Sequence, residues 1–410
     1  MRDVSIIGVG KTDFSAQGGL ITHAENAIKT AIEDVKGEGI LKKEDIQVCY
    51  SGCTTTVTNV GQMMIMNQGL LGMGVFNIEN GFITGLSALY SAWQAVAGGL
   101  YDIVLVCSGA SFSGGGGFMS LFSNDKVPDG DLLTHKTGKA WSIKPTKHPL
   151  YPRLFAQLTR RHMETYGTTS EQLAQVVVKN RKNGAINPRA MLKEEVTTEQ
   201  VLKSAIVADP LTESMCTPIV NGAVALLLCP SKHATYYQDK PVRIGGIAIT
   251  SGKAGVPYLE SAYEATERAA RQAYRMIDPF FRARSTLNVA QVIDMFPITE
   301  LVSYEAMGLC GKGESGKLVE EGITSLGGEL PVNTDGGVIA NGFALGASDL
   351  AQVVENVYQL RGEAGERQVP EAKWAASHFM GSGGSTFCGG YGGRGFGPGG
   401  GYAVTVVTNQ

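Results

Sequence analysis

Cys388 lies in a run dominated by glycine, Gly381 to Gly401, three residues before Tyr391 and ten after His378. A thiol in a loop whose backbone can approach a ligand closely could serve as a nucleophile or as an acid/base, and a packed, inert thiol is the competing reading. Tyr391 offers either a phenol for proton transfer or an amphipathic lid residue. His378 offers an imidazole that titrates near neutrality, or an ordinary hydrogen-bonded ring. The other six cysteines, at 49, 53, 107, 216, 229 and 310, are scattered through a long chain, and an odd total of seven reads as reduced thiols rather than a disulfide scaffold. Cys49 and Cys53 have the spacing of half a metal site, but no second Cys/His pair accompanies them, so no metal is expected. Gly8 and Gly10 lack the third glycine of a dinucleotide fingerprint, with Asp13 in its place, and read as turn chemistry. The cluster Arg160, Arg161, Lys179, Arg181 and Lys182 could meet phosphates or form a solvated face.

Positioning such residues requires layered strands and helices. Val4 to Val9 is a β-branched apolar run that predicts a buried strand, and 22–35 and 85–97 predict helices. The second helix carries Leu86, Leu89, Trp93 and Val96 on one face and precedes a strand at 103–106. From about 112 to 150 the pattern dissolves into glycine, polar residues and proline, which reads as a loop insertion. Helices at 151–166 and 170–183 and a strand at 223–229 follow. A strand at 242–250, helices at 262–277 and 299–308, a strand at 291–295, a helix at 346–360 and a final strand at 402–407 repeat the strand-turn-helix rhythm. The two halves, 1–235 and 236–410, look related in plan. The glycine-rich segment before the last strand is expected to approach a ligand rather than to act as a linker.

At 410 residues the chain exceeds what one core usually holds, so two domains or two fused halves are expected. A 43% hydrophobic and 18% charged composition supplies a core without a membrane-protein profile. A net charge of −3 provides no basic field for nucleic acid. No signal-peptide pattern opens the sequence, which leads to the expectation of a cytoplasmic protein with no membrane partner.

Five stretches, in order, resemble thiolase motifs of the sterol-carrier (lipid-transfer) group. Asn77 to Leu89, with Gly81-Phe82-Ile83-Thr84-Gly85, resembles the nucleophile segment. Asp209 to Thr212, Met215 to Pro218 and Asn221 to Ala225 are similar to the end of that group's first half. Asp294-Met295-Phe296 with Glu300 and Glu305-Ala306-Met307-Gly308 is similar to its His-Asp-Cys-Phe segment. Val332 to Gly337 with Gly342 to Ala347 resembles the Asn-x-x-Gly-Gly and Gly-His-Pro-x-Gly-Ala segment, and Cys388-Gly389-Gly390 the last Cys-x-Gly loop. The resemblance implies an α/β thiolase fold, two related halves in a five-layer αβαβα arrangement, and a homodimer core.

The departures fall at the chemistry. Thiolysis needs a thiolate, an activating histidine and a second cysteine that moves a proton. Phe82, Phe343 and Ile293 stand at the first cysteine and the two histidine positions, and none can hold a proton. Cys388 remains at the second-cysteine position. The resemblance therefore implies Cys388 and Asp294 as catalytic candidates, joined by His378 and Tyr391 for their closeness in sequence to Cys388, with Phe82, Phe343, Asn333, Gly389 and Gly390 lining the acyl site. Two aromatic rings in place of polar groups are expected to give a drier, larger pocket. Asp294 and, on a helix, Glu300 and Glu305 have equally ordinary structural readings. Coenzyme A is implied as part of the substrate, with no covalently held cofactor. The expected activity is carbon–carbon cleavage or formation on a bulky acyl-CoA, by retro-aldol or unorthodox thiolase chemistry, with an OB-fold/zinc-ribbon partner. The alternative is a catalytically silent subunit supporting a thiolase paralogue.

Overall fold

Alternation along the strands decides where the layers lie. In Val104–Ala110 (β4), Val104 and Val106 point into one apolar cluster while Leu105 and Cys107 point into another, as side chains of period two must. The same split divides Gly222–Pro230 (β5), where Val224, Leu226 and Leu228 face the first cluster and Ala223, Ala225 and Leu227 the second. A sheet apolar on both faces needs helices on both faces.

The structure, a computed structural model, describes residues 1–14, 18–39, 41–54, 58–110, 150–253, 258–381 and 400–410. The expected insertion at 112–150 falls almost wholly outside them. Within these residues one mixed sheet joins β4 and β5 to Val4–Lys11 (β1), Val48–Cys53 (β2), Gly74–Ile78 (β3), Val242–Ser251 (β6), Val289–Val292 (β7), Trp374–Met380 (β8) and Gly401–Thr408 (β9). The strand order is β3-β2-β4-β5-β1-β6-β9-β8-β7. On one side β2 runs parallel to β4, and β4 pairs antiparallel with β5, as does β5 with β1. On the other side β7 runs parallel to β8, and β8 pairs antiparallel with β9, as does β9 with β6. The pairing pattern thus repeats about a short antiparallel seam, Ser5 with Arg243 and Ile6 with Val242, that joins the two wings.

The helices fill the layers. Leu20–Glu33 (α1) packs on β1 and β5, and Thr84–Ala97 (α2) lies on the opposite face against β2 and β4. Ser348–Arg361 (α8) packs against α2 from the other wing, on β7 and β8, and Tyr258–Ile277 (α5) covers the far face of β6 and β9. The layer order is therefore α1, first wing, α2 with α8, second wing, α5. Gly8 and Gly10 are not turn residues, as the sequence suggested. They sit inside β1, where a Cβ would lie 2.2 Å and 2.0 Å from the carbonyl oxygens of Ala31 and Ala27. Their absent side chains let α1 press onto the strand. Leu150–Tyr166 (α3), Ser170–Ala185 (α4), Pro297–Ala306 (α6) and the short Gly337–Asn341 (α7) complete the surroundings of the site.

Candidate functional site

A single 3₁₀ turn, Gly81–Ile83, leads into α2 and presents Phe82. Gly81 takes φ +56°, a left-handed value suited to glycine. The Thr84 hydroxyl donates to the Gly81 carbonyl at 2.7 Å and accepts from the Asn80 amide at 2.8 Å, while Asn80 Nδ2 donates to Ser87 Oγ at 2.9 Å. The turn is thereby fixed by side chains of the helix it introduces.

Phe343 approaches from the segment joining α7 to α8. Its backbone is clamped in a small bridge, the N–H donating to Pro218 at 2.7 Å and the carbonyl accepting from Val220 at 3.1 Å. The rings of Phe82 and Phe343 meet edge to face, centroids 5.1 Å apart at 82°, and both are fully buried. Tyr151 lies 5.5 Å from Phe82, and Phe379 stacks on Phe343 at 6.2 Å. Phe155 on α3 stacks against Phe296 at 4.9 Å. The structure brings Phe82 and Phe343 into contact. In the described residues the two rings pack edge to face rather than standing apart.

Asp294, expected as a catalytic candidate, acts instead as a cap. Its carboxylate accepts from the Val338 and Ile339 amides of α7 at 2.6 and 3.1 Å and from Asn180 Nδ2 at 2.8 Å. A side chain on Gly337, which has φ +61°, would collide with that carboxylate. Burial and the neighbouring Glu300 charge hold the Asp294 carboxyl well above the usual range. Glu300 is itself buried at the centre of a polar hub: Lys179 pairs with it at 2.8 Å, Asn180 and Asn333 each donate to it at 2.7 Å, and Tyr304 donates as well. Asn333, expected to touch substrate, is committed here too. At φ +54° its Oδ1 accepts from the Val292 amide at 2.8 Å and its Nδ2 goes to Glu300. Lys179 consequently leaves the basic cluster, being buried and also donating to the Val332 carbonyl at 2.8 Å. Arg160 and Arg161 are occupied by Asp209 and Glu260.

His378 does not join the site. On β8 it points away from Phe379, the neighbour that reaches Phe343. Both ring nitrogens are taken, by Thr266 Oγ1 of α5 at 3.0 Å and Ser303 Oγ of α6 at 2.9 Å. Complete burial pushes its pKa down to about 3, so it is neutral and enclosed. Glu305 likewise serves packing, receiving hydrogen bonds from Ser315 and Tyr263 and lying 3.5 Å from His162. Cys388, Tyr391, Gly389 and Gly390 lie outside the described residues.

The six cysteines within them are all free. Burial pushes the thiols of Cys49, Cys53, Cys216, Cys229 and Cys310 up to about 12, and burial also raises that of Cys107 well above its ordinary value. None is a thiolate near neutral pH. Sequence reasoning missed Asp349 on α8, whose carboxylate reaches the first turn of α2, and Ser108 on β4, whose hydroxyl lies against the carbonyls of Gly52 and Gly346. A carboxylate at the start of a helix after a glycine turn was the available signal for Asp349. No group of three potential metal-ligating side chains occurs among the described residues, and no helix there is long and apolar enough to cross a membrane.

The family model described as thiolase, N-terminal domain, matches residues 4–231, and that described as thiolase C-terminal domain-like matches 258–388. An acetyl-CoA acetyltransferase of Methanothermobacter thermautotrophicus is 35% identical over 398 residues, covering 94% of this chain and 98% of the relative. Sterol carrier protein 2 of Bos taurus is 32% identical over 392 residues, 93% of this chain and 70% of its own. The benzoylsuccinyl-CoA thiolase subunit BbsB of Thauera aromatica is 31% identical over 396 residues, 93% of this chain and 95% of its own. Among solved structures the Ltp2-ChsH2(DUF35) aldolase superposes with a TM-score of 0.74 at 20% identity, covering 99% of this chain and 97% of that one. The chain belongs to the thiolase superfamily, among its sterol-carrier-type thiolase-like proteins.

Proposed function

We propose that this chain makes or breaks a carbon–carbon bond beside a coenzyme A thioester without forming an acyl-enzyme at residue 82. The observation that carries the reading is the edge-to-face Phe82–Phe343 pair. Where thiolysis would need a thiol and its activating imidazole, two hydrocarbon rings pack against each other, and every described thiol is held protonated by burial. Retro-aldol cleavage of a 3-hydroxyacyl thioester needs a base and an oxyanion site but no nucleophile. Cys388 supplies the acid/base in this reading, with Tyr391 as a second candidate. The aldolase among the fold neighbours and the acyl-CoA enzymes among the relatives support the substrate class. The relative that is a thiolase subunit and the neighbour that carries a DUF35 component support work with a partner, which we assign to an OB-fold/zinc-ribbon protein.

A homodimer core forms part of the proposal. Strand β3 is the edge of the sheet and exposes Phe76, with Leu71 exposed just before it. Such an edge is a pairing surface. Light scattering should show a dimer that Phe76→Lys dissociates.

The test of activity is incubation with 3-hydroxyacyl- and 3-oxoacyl-CoA panels, with the partner co-expressed, followed by mass spectrometry of the intact chain. Product without an acyl adduct on any of the seven cysteines is expected. Cys388→Ala should lower turnover about 10²–10⁴-fold. An acyl group on Cys388 would instead make the chain an unorthodox thiolase. An active complex indifferent to Cys388→Ala would make it a silent subunit.

A further inference from the structure

The first turns of α2 and α8 meet, and the Asp349 side chain lies between them. Asp349, fully buried, accepts from the Leu86 amide of α2 through Oδ2 at 2.7 Å and from the Leu350 amide of its own helix through Oδ1 at 2.8 Å. The amides of Gly85 and of Asp349 itself also reach the carboxylate. The approach is close enough that position 85 admits no side chain: a Cβ there would lie 2.5 Å from Asp349 Oδ1 and 2.6 Å from the Gly346 carbonyl. That carbonyl is held in turn by Ser108, which ties the junction to β4.

The charges match. Each helix start carries the equivalent of about half a positive charge, so two of them together balance one carboxylate. Burial pushes the Asp349 carboxyl up, to about 8, against the pull of four backbone donors. Below about pH 8 the carboxyl is therefore mainly protonated; above it the carboxylate carries its charge, and the four partners, all donors, satisfy that form.

We infer that Asp349 is the resident acceptor of the backbone donors at the starts of the two central helices. From within the fold it fills the electrostatic niche at the start of α2 that would stabilise a thiolate or an oxyanion beside residue 82. It is a positioning residue: it touches no reacting atom, holds α2 and α8 end to end, and denies the turn at Phe82 the field that a nucleophile would need. The inference deepens the proposed absence of an acyl-enzyme at residue 82 and rests on that reading for its functional meaning.

Phe82→Cys supplies the probe, an ionisable group at the turn itself. Its titration is read as thiolate absorbance near 240 nm in the difference between variant and parent, which share all seven native cysteines. A thiol at an unoccupied helix start is expected to ionise below the ordinary value of about 8.5. Here the introduced thiol is expected to titrate above about 9, and adding Asp349→Asn should lower the midpoint by about one unit, a tenfold gain in thiolate at a given pH. Equal midpoints in the two backgrounds would overturn the inference, as would ionisation below about 8 with Asp349 intact. Asp349→Ser, which keeps a neutral acceptor on α8, gives the same comparison if the asparagine variant does not fold. No thioester enters the measurement, so its failure is distinct from failure of the proposed activity, which the substrate panel decides alone.

Discussion

Phe82→Ala separates a filled core from an open acyl pocket. The Phe82 ring is fully buried and contacts Phe343 and Tyr151, so truncation removes a whole phenyl group from a close-packed junction. Buried Phe→Ala changes cost about 3–5 kcal/mol, the lost transfer energy plus the cavity left behind. With an unfolding entropy of about 2 cal/mol/K per residue over 410 residues, about 4 kcal/mol corresponds to a fall in Tm of about 5 °C. Thermal unfolding followed by tryptophan fluorescence measures it. A double-mutant cycle with Phe343→Leu should return a coupling of about 0.5–1.5 kcal/mol for the edge-to-face pair. The new cavity should bind a small apolar ring such as toluene, raising the Tm of Phe82→Ala but not of the parent. A loss below about 1 kcal/mol with no coupling would show that the rings line open space, and the packed-core account would be wrong.

Two further outcomes follow from the buried polar groups. His378 has a folded pKa of about 3 against an ordinary 6.5, so the folded state binds fewer protons; its stabilisation is present above about pH 6.5 and is lost as pH falls toward 3. At pH 5 the loss is about 2 kcal/mol, and His378→Gln should flatten the urea-denaturation profile between pH 7 and 5; an unchanged slope would place the titration elsewhere. Lys179→Met should cost about 3–5 kcal/mol because it leaves Glu300 charged and buried beside Asp294, and adding Glu300→Gln should recover much of the loss; a single variant near parental stability would refute the ion-pair assignment.

The elements legible in the sequence are those whose pattern is local. Leu86, Leu89, Trp93 and Val96 mark the buried face of α2, and the apolar runs of β1, β5 and β9 read as strands at once. Strands β2 and β8 were not read. Val48–Cys53 and Trp374–Met380 are rich in Ser, Gly, Ala and His, which favour strands weakly. They are strands because paired neighbours on both sides impose it. The proximity of Phe82 and Phe343 was legible through motif resemblance, but their packing into each other was not. Motif order places residues in a site without stating whether the rings face a void.

What the sequence could not show is which polar groups near the site are already spent. Lys179 and Glu300, or Leu86 and Asp349, are brought together only by the tertiary fold, across 121 and 263 residues of chain. Several polar groups near the site have a backbone duty: Asp294 holds the start of α7, Asn333 holds Val292, Asp349 holds α2 to α8, and Ser108 lies against Gly346. The side chains of Phe82, Phe343 and Ile293 are hydrocarbon and belong to the apolar cluster. The positions that would perform thiolysis can therefore be hydrocarbon while the positions that hold the layers together stay polar. Under the proposed function the chemistry begins from Cys388 rather than from the start of α2, so stability and reactivity draw on different residues.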